Sequence, residues 1–288
     1  MDFSFEMKKL WGIRESILVK PINLNSVQEA RSKSPRRYYF SKSRIQKHDK
    51  YISFGITFPE TIKPLFEEMT GLELFYSDQY DNYWRIIKNE TELNTVESWE
   101  NSLGSRVFLR DCLGLSIAMS LNFNNTQDLV HTEIGQLEYD AKNKQDESAI
   151  DKLVELCCST IQELPFYNEA DCICAVPHHP SKEFDLPSIV VRIVSSKLGK
   201  TDITNRFTFD HPKISLKSLS LEEKWFEWEK TKLNFHRDGL NGKTVIIIDD
   251  KYQSGTTIEY IAMKIQEAGV GSIYGLCFVK TMRDTDNV

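Results

Sequence analysis

The feature that most constrains this chain is the run Val245-Ile246-Ile247-Ile248-Asp249-Asp250-Lys251-Tyr252-Gln253-Ser254-Gly255-Thr256-Thr257. Its β-branched residues, preceded by Gly242-Lys243-Thr244, suit a strand covered on both faces, as in a parallel sheet. Asp249 and Asp250 then fall at the strand's C-terminal end. Ile258, Ile261, Ala262 and Ile265 recur at helical spacing, so a helix begins near Thr256 or Thr257. Ser254 to Thr257 therefore sit at a helix N-terminus. Unpaired backbone N–H groups and a partial positive charge of roughly half a unit favour an anion there, and Gly255 lets the backbone approach it closely. The hydroxyls of Ser254, Thr256 and Thr257 supply further donors.

Two carboxylates beside an anion cradle make little sense for a phosphate alone. They make sense if the ligand also carries vicinal hydroxyls, from which ionised carboxylates can only accept. A ribose 5-phosphate meets both requirements. At these residues the chain resembles the type I phosphoribosyltransferases, whose signature is an apolar strand, two acidic residues, three variable positions, then Thr/Ser-Gly-x-Thr. The resemblance implies a ligand, phosphoribosyl pyrophosphate, and a reaction in which a nucleophile displaces pyrophosphate from the anomeric carbon. Asp249 and Asp250 would be the catalytic pair and also the metal residues for the Mg2+ cofactor, holding the ribose hydroxyls beside a developing cation. Gln253, Ser254, Gly255, Thr256 and Thr257 would bind substrate.

The resemblance also implies a pyrophosphate loop after the first core strand, here Pro177-His178-His179-Pro180-Ser181-Lys182. Pro177, His178, His179 and Lys182 are its candidate substrate contacts, with plain loop exposure and transition-metal ligation as alternatives for the histidine pair. Lys251 replaces an apolar residue usual in the family, either to tune charge in the site or to point to solvent. The ComF-like branch looks closest, through Leu137-Glu138-Tyr139-Asp140-Ala141-Lys142, Val176-Pro177, the variant Asp-Asp-x-Tyr-Gln-Ser-Gly, and a tail from Lys280 to Asn287. That branch is linked to bacterial DNA uptake, repair and defence. It therefore leaves a second function open, a non-catalytic nucleotide-sensing or effector subunit.

The expected fold class is α/β, a mainly parallel sheet flanked by helices, with an N-terminal α+β domain. Residues 129–288 would form the phosphoribosyltransferase-like domain. Helices are expected at about 147–164 and 188–198, and strands at 170–176 and 272–279, with Ile134 to Lys142 preceding them. The polar stretch 205–238 would supply a flexible lid, in which Trp225, Phe226 and Trp228 either stack on a base or pack beneath it. Residues 1–128 resemble nothing and are a candidate protein-partner domain. A helix is expected from Ser105 to Leu121 and a linker at 122–127.

Composition narrows the partners. A net charge of -6 argues against nucleic-acid binding through bulk charge, although eight basic residues between Arg31 and Lys50 offer either a local patch or a solvated face. No apolar run approaches the roughly 20 residues of a membrane span, and no secretory signal is evident. The six cysteines lack C-x-x-C spacing, so buried thiols in a reducing cytoplasm are expected.

Overall fold

The computed structural model describes residues 5–11, 17, 20–33, 38–39, 45–56, 59–80, 82–124, 129–178, 184–211, 216 and 219–282. In the first third of the chain these form α1 (Phe5–Leu10), α2 (Leu24–Lys33), β1 (Tyr38–Tyr39), β2 (Ile45–Lys47), β3 (Ile52–Ile56), α3 (Pro59–Thr70), β4 (Phe75–Ser77), β5 (Asn82–Ile87) and α4 (Glu90–Ser102). There follow β6 (Val107–Leu109), β7 (Leu115–Leu121), α5 (Glu133–Lys144), α6 (Glu147–Glu163), β8 (Cys172–Ala175), α7 (Leu186–Leu198) and β9 (Thr201–Asp202). The last third holds β10 (Phe207–Thr208), α8 (Leu221–Lys230), β11 (Asn234–Phe235), β12 (Thr244–Tyr252), α9 (Thr256–Gln266) and β13 (Ser272–Lys280).

The main sheet has the order β1-β6-β7-β13-β12-β8-β9. From β7 to β9 every pairing is parallel, and β6 and β1 close one side in antiparallel fashion. This is the expected α/β sheet. The signature strand β12 lies between β13 and β8, which explains why Val245 to Ile248 are all buried.

The helix expected over 105–121 is instead the strand pair β6 and β7. All seven residues of β7 are buried, because it runs beside β13 with cover on both faces. Such a strand shows no alternation, and its apolar positions pass for one side of a helix. The main sheet thus draws strands from both sides of residue 128. Asn122, where the expected linker begins, is tied to the sheet: its N–H donates to Lys280 O (3.0 Å) and its carbonyl accepts from Thr132 N (3.2 Å), while residues 125–127 lie outside the described residues. Ile134 to Lys142 lies within α5.

A second, antiparallel sheet has the order β2-β3-β5-β4. Its inner face packs with α3 and α4 through Phe54, Phe66 and Trp99, and Trp99 reaches Phe108 of β6 at 6.2 Å between ring centroids. Thr61 Oγ1 of α3 donates to Leu109 O (3.0 Å) and Gly114 O (2.9 Å), tying this layer to the main sheet. The N-terminal layer therefore shares one apolar core with the sheet that carries the signature. Among the described residues no helix is long and apolar enough to cross a membrane.

Candidate functional site

The C-terminal ends of β8, β12 and β13 come together at one edge of the main sheet. Val176 N donates to Ile248 O (2.9 Å), so Pro177 and His178 emerge beside Asp249 and Asp250. Asp249 pairs across the other ladder with Cys277, and its Oδ1 accepts from the Asp250 N–H at 2.9 Å. Both acidic side chains are half-buried.

After β12 the chain turns through Gln253 to Gly255 into α9. Gly255 is the N-cap residue, with φ 88°. A side chain there would be strained by that dihedral, and a Cβ would come 2.2 Å from Tyr252 Oη and 2.7 Å from Cζ. The glycine is thus demanded twice, by conformation and by a buried tyrosine folded under the loop. Having no side chain, it also leaves the first N–H groups of α9 uncapped from within. Ser254 and Thr256 are buried, whereas Gln253 and Thr257 are partly exposed. All five residues expected at the cradle therefore sit in one turn next to the acidic pair.

The sequence reading missed the cation that engages Asp250 and the ion pairs around it. Lys142 of α5 donates directly to Asp250 Oδ2. Glu138, one turn earlier and only 1% exposed, takes Lys251 Nζ at 3.0 Å on Oε2, while its Oε1 lies 3.8 Å from Lys142 Nζ, too far for a hydrogen bond. Burial pulls the Lys142 ammonium toward the neutral form, but Asp250, Glu138 and Asp249 outweigh it and leave its pKa raised. Lys251 is therefore committed to Glu138 rather than to solvent alone. Buried Lys280, at the end of β13, donates to Thr281 O and lies 6.0 Å from the Tyr252 ring centroid.

These contacts bear on the expected Mg2+ site. Among the described residues no group of three or more His, Cys, Asp or Glu side chains is arranged to hold a metal, and Asp250 is engaged by an ammonium. For Mg2+, which one or two carboxylates and the phosphates of a ligand suffice to hold, the Lys142 ammonium makes the carboxylate pair a weaker site. The pair suits hydroxyl donors better, because Lys142 already balances much of the charge that a dication would neutralise.

On the β8 side Pro177 is buried and His178 is about one third exposed, with Nδ1 2.8 Å from Asp185 Oδ2 at the start of α7. A cavity of about 910 Å3 opens beside them, lined among others by Ile189, Arg192, Phe207 and Phe209. His179 and Lys182 lie outside the described residues, as does the tail from Arg283.

The stretch 205–238 is more structured than a bare lid. Trp225 and Trp228 of α8 are buried against Tyr260 of α9, at 5.2 and 5.4 Å between ring centroids, so they pack beneath the surface; Phe226 is exposed. Arg31 also leaves the expected basic patch. Its side chain is 9% exposed and bonds Glu259 Oε2 (3.0 Å), Ser254 O (2.9 Å) and Thr256 Oγ1 (3.0 Å). Only long-range packing could have revealed this contact, since α2 and α9 are more than two hundred residues apart.

No protein-family model and no curated protein sequence matches the chain. Solved structures similar to it include purine phosphoribosyltransferase from Pyrococcus horikoshii Ot3, at 18% identity over 46% of this chain and 79% of that one, with a TM-score of 0.30. Adenine phosphoribosyltransferase from Leishmania tarentolae is 7% identical over 60% of this chain and 94% of its own, with a TM-score of 0.36. The allosteric regulatory enzyme of purine biosynthesis is 14% identical over 79% and 45%, also at 0.36. At TM-scores this low the overlays carry no weight for function; the sheet topology and the residues of the site do.

Proposed function

We propose that this chain binds phosphoribosyl pyrophosphate and transfers its phosphoribosyl group to a nucleophile, in the manner of the type I phosphoribosyltransferases it resembles. One observation carries the reading: β12 delivers Asp249 and Asp250 to the start of α9, whose first turn is held open by Gly255 at φ 88°. The 5-phosphate would take the N–H groups of Ser254 to Thr257 and the hydroxyls of Ser254 and Thr257. The 2- and 3-hydroxyls would donate to Asp249 and Asp250, which then lie near the positive charge that develops as the bond to pyrophosphate breaks. His178, beside Asp185, would meet the departing pyrophosphate, with His179 and Lys182 as further candidates. Magnesium would arrive on the pyrophosphate oxygens of the ligand rather than on the carboxylates.

A second reading draws support from the Lys142 bridge to Asp250. A carboxylate already paired suits a site that holds ligand without turning it over, as in a nucleotide-sensing or effector subunit of a bacterial DNA-uptake, repair or phage-defence system, with residues 1–128 meeting a protein partner. Pyrophosphate release from phosphoribosyl pyrophosphate, measured with a panel of nucleobases and amines, separates the two. Acceptor-dependent release supports transfer. Saturable binding with no release for any acceptor overturns it in favour of sensing.

A further inference from the structure

Thr256 is the variable position of the loop, yet it is 1% exposed and touches two polar groups. Arg31 Nη2 lies 3.0 Å from its Oγ1, and Ser254 Oγ lies 3.2 Å from the same atom. A guanidinium can only donate. Thr256 Oγ1 therefore accepts from Arg31, and its own hydrogen has Ser254 Oγ as its neighbouring acceptor. The reverse arrangement, with Ser254 donating to Thr256, would bury the Thr256 hydrogen without an acceptor, which folded proteins avoid.

From this geometry we infer that Arg31 is a positioning residue that sets the direction of a hydroxyl relay, Arg31 to Thr256 to Ser254, so that Ser254 presents its hydrogen to the anion bound at the start of α9. The inference rests on the reading of Ser254 to Thr257 as a phosphate cradle and deepens it. Chains of hydrogen bonds polarise one another, so a donor at the end of such a relay is stronger than a lone serine hydroxyl.

Three features make Arg31 a fixed starting point. The two hydrogens of the same Nη2 serve Ser254 O at 2.9 Å and, at 3.0 Å each, Thr256 Oγ1 and Glu259 Oε2, one hydrogen being shared, so the backbone of the loop and the relay are set by one group. Glu259, 2% exposed, pairs with the guanidinium at 3.0 Å and takes Cys112 N at 3.3 Å on its other oxygen. At the far end of α9, Gln266 accepts from Ile22 N (2.8 Å) and donates to Lys20 O (2.9 Å), so the segment leading into α2 is pinned along the helix. Because Glu259 cancels the charge of Arg31 locally, the relay works through direction and adds little net attraction.

Isothermal titration of the full chain with ribose 5-phosphate, at low and high salt, tests this. Thr256→Val keeps the shape and removes the relay oxygen, and its affinity should fall about tenfold, the loss of one hydrogen bond to a charged group. Thr256→Ser should bind within about twofold of wild type. Arg31→Met should lose at least as much as Thr256→Val, since it also frees Ser254 O and unpairs Glu259, and adding Thr256→Val to it should cost nothing further, because both interrupt one chain. For the uncharged Thr256→Val change, the ratio between variant and wild type should be the same at both salt concentrations, which a lost net charge would not produce. If wild type binds and Thr256→Val stays within twofold of it, the relay is refuted while the cradle stands; the Val and Ser pair decides this even if Arg31→Met fails to fold. If wild type itself does not bind ribose 5-phosphate, the reading of the site falls and the relay with it.

Discussion

Replacing Gly255 by alanine tests whether the turn between β12 and α9 is built as described. The left-handed conformation at φ 88° costs a residue with a Cβ about 1–2 kcal/mol. The new methyl would also stand 2.2 Å from Tyr252 Oη and 3.3 Å from Cε2, so the ring has to move, yet Tyr252 is 2% exposed within the core. Overpacking of this kind costs about 1–3 kcal/mol. The sum, about 2–5 kcal/mol, corresponds to a melting temperature roughly 5–15 °C lower for a chain of this size. Thermal unfolding followed by circular dichroism reads the loss directly. Tyr252→Phe removes the atom in closest contact, so adding it to Gly255→Ala should recover about 1 kcal/mol relative to the sum of the single changes. Melting of Gly255→Ala within 1–2 °C of wild type would refute the geometry of the loop, and strict additivity with Tyr252→Phe would refute the assigned clash.

Lys142→Met leaves Asp250 beside Asp249 without its ammonium, and since the Lys142 side chain is about one third exposed the loss should be about 1–2 kcal/mol rather than that of a fully buried pair. Because the folded-state pKa of Lys142 is raised, its contribution is fully present below the ordinary lysine value and disappears as pH climbs through the raised one; urea midpoints of wild type and variant should differ steadily from pH 7 to about 10 and converge above, and a gap that opens with rising pH contradicts the pairing. Cys157, Cys172, Cys174 and Cys277 are buried, and burial pushes the thiols of Cys174 and Cys277 well up. Native protein at pH 8 should therefore release at most two equivalents from a thiol reagent, from Cys112 and Cys158, and all six only in denaturant; a fast third equivalent would be inconsistent with the core.

What the sequence made legible was local. Val245 to Ile265 announces a buried strand, an acidic end, a glycine turn and a helix because each signal sits within a few residues of the next. β8, α6, α7 and β13 were readable for the same reason, with Gly199 at φ 64° closing α7 as a C-terminal glycine should. β7 was not, since a strand buried on both faces loses the alternation by which strands are recognised, and its place beside β13 depends on a pairing across more than a hundred and fifty residues. The charged frame of the site was hidden likewise. Lys142, Glu138 and Arg31 sit on helices whose spacing says only that one side is polar; which carboxylate or hydroxyl each of them meets is decided by tertiary packing.

The central claim is that Asp249 and Asp250 and the turn after them hold a ribose phosphate. Isothermal titration of phosphoribosyl pyrophosphate into the double variant Asp249→Asn, Asp250→Asn tests it most directly, with circular dichroism to confirm that the fold persists. Affinity should fall to the limit of detection, because two amides cannot replace two charged acceptors for the ribose diol. An unchanged affinity in a folded double variant would contradict the account.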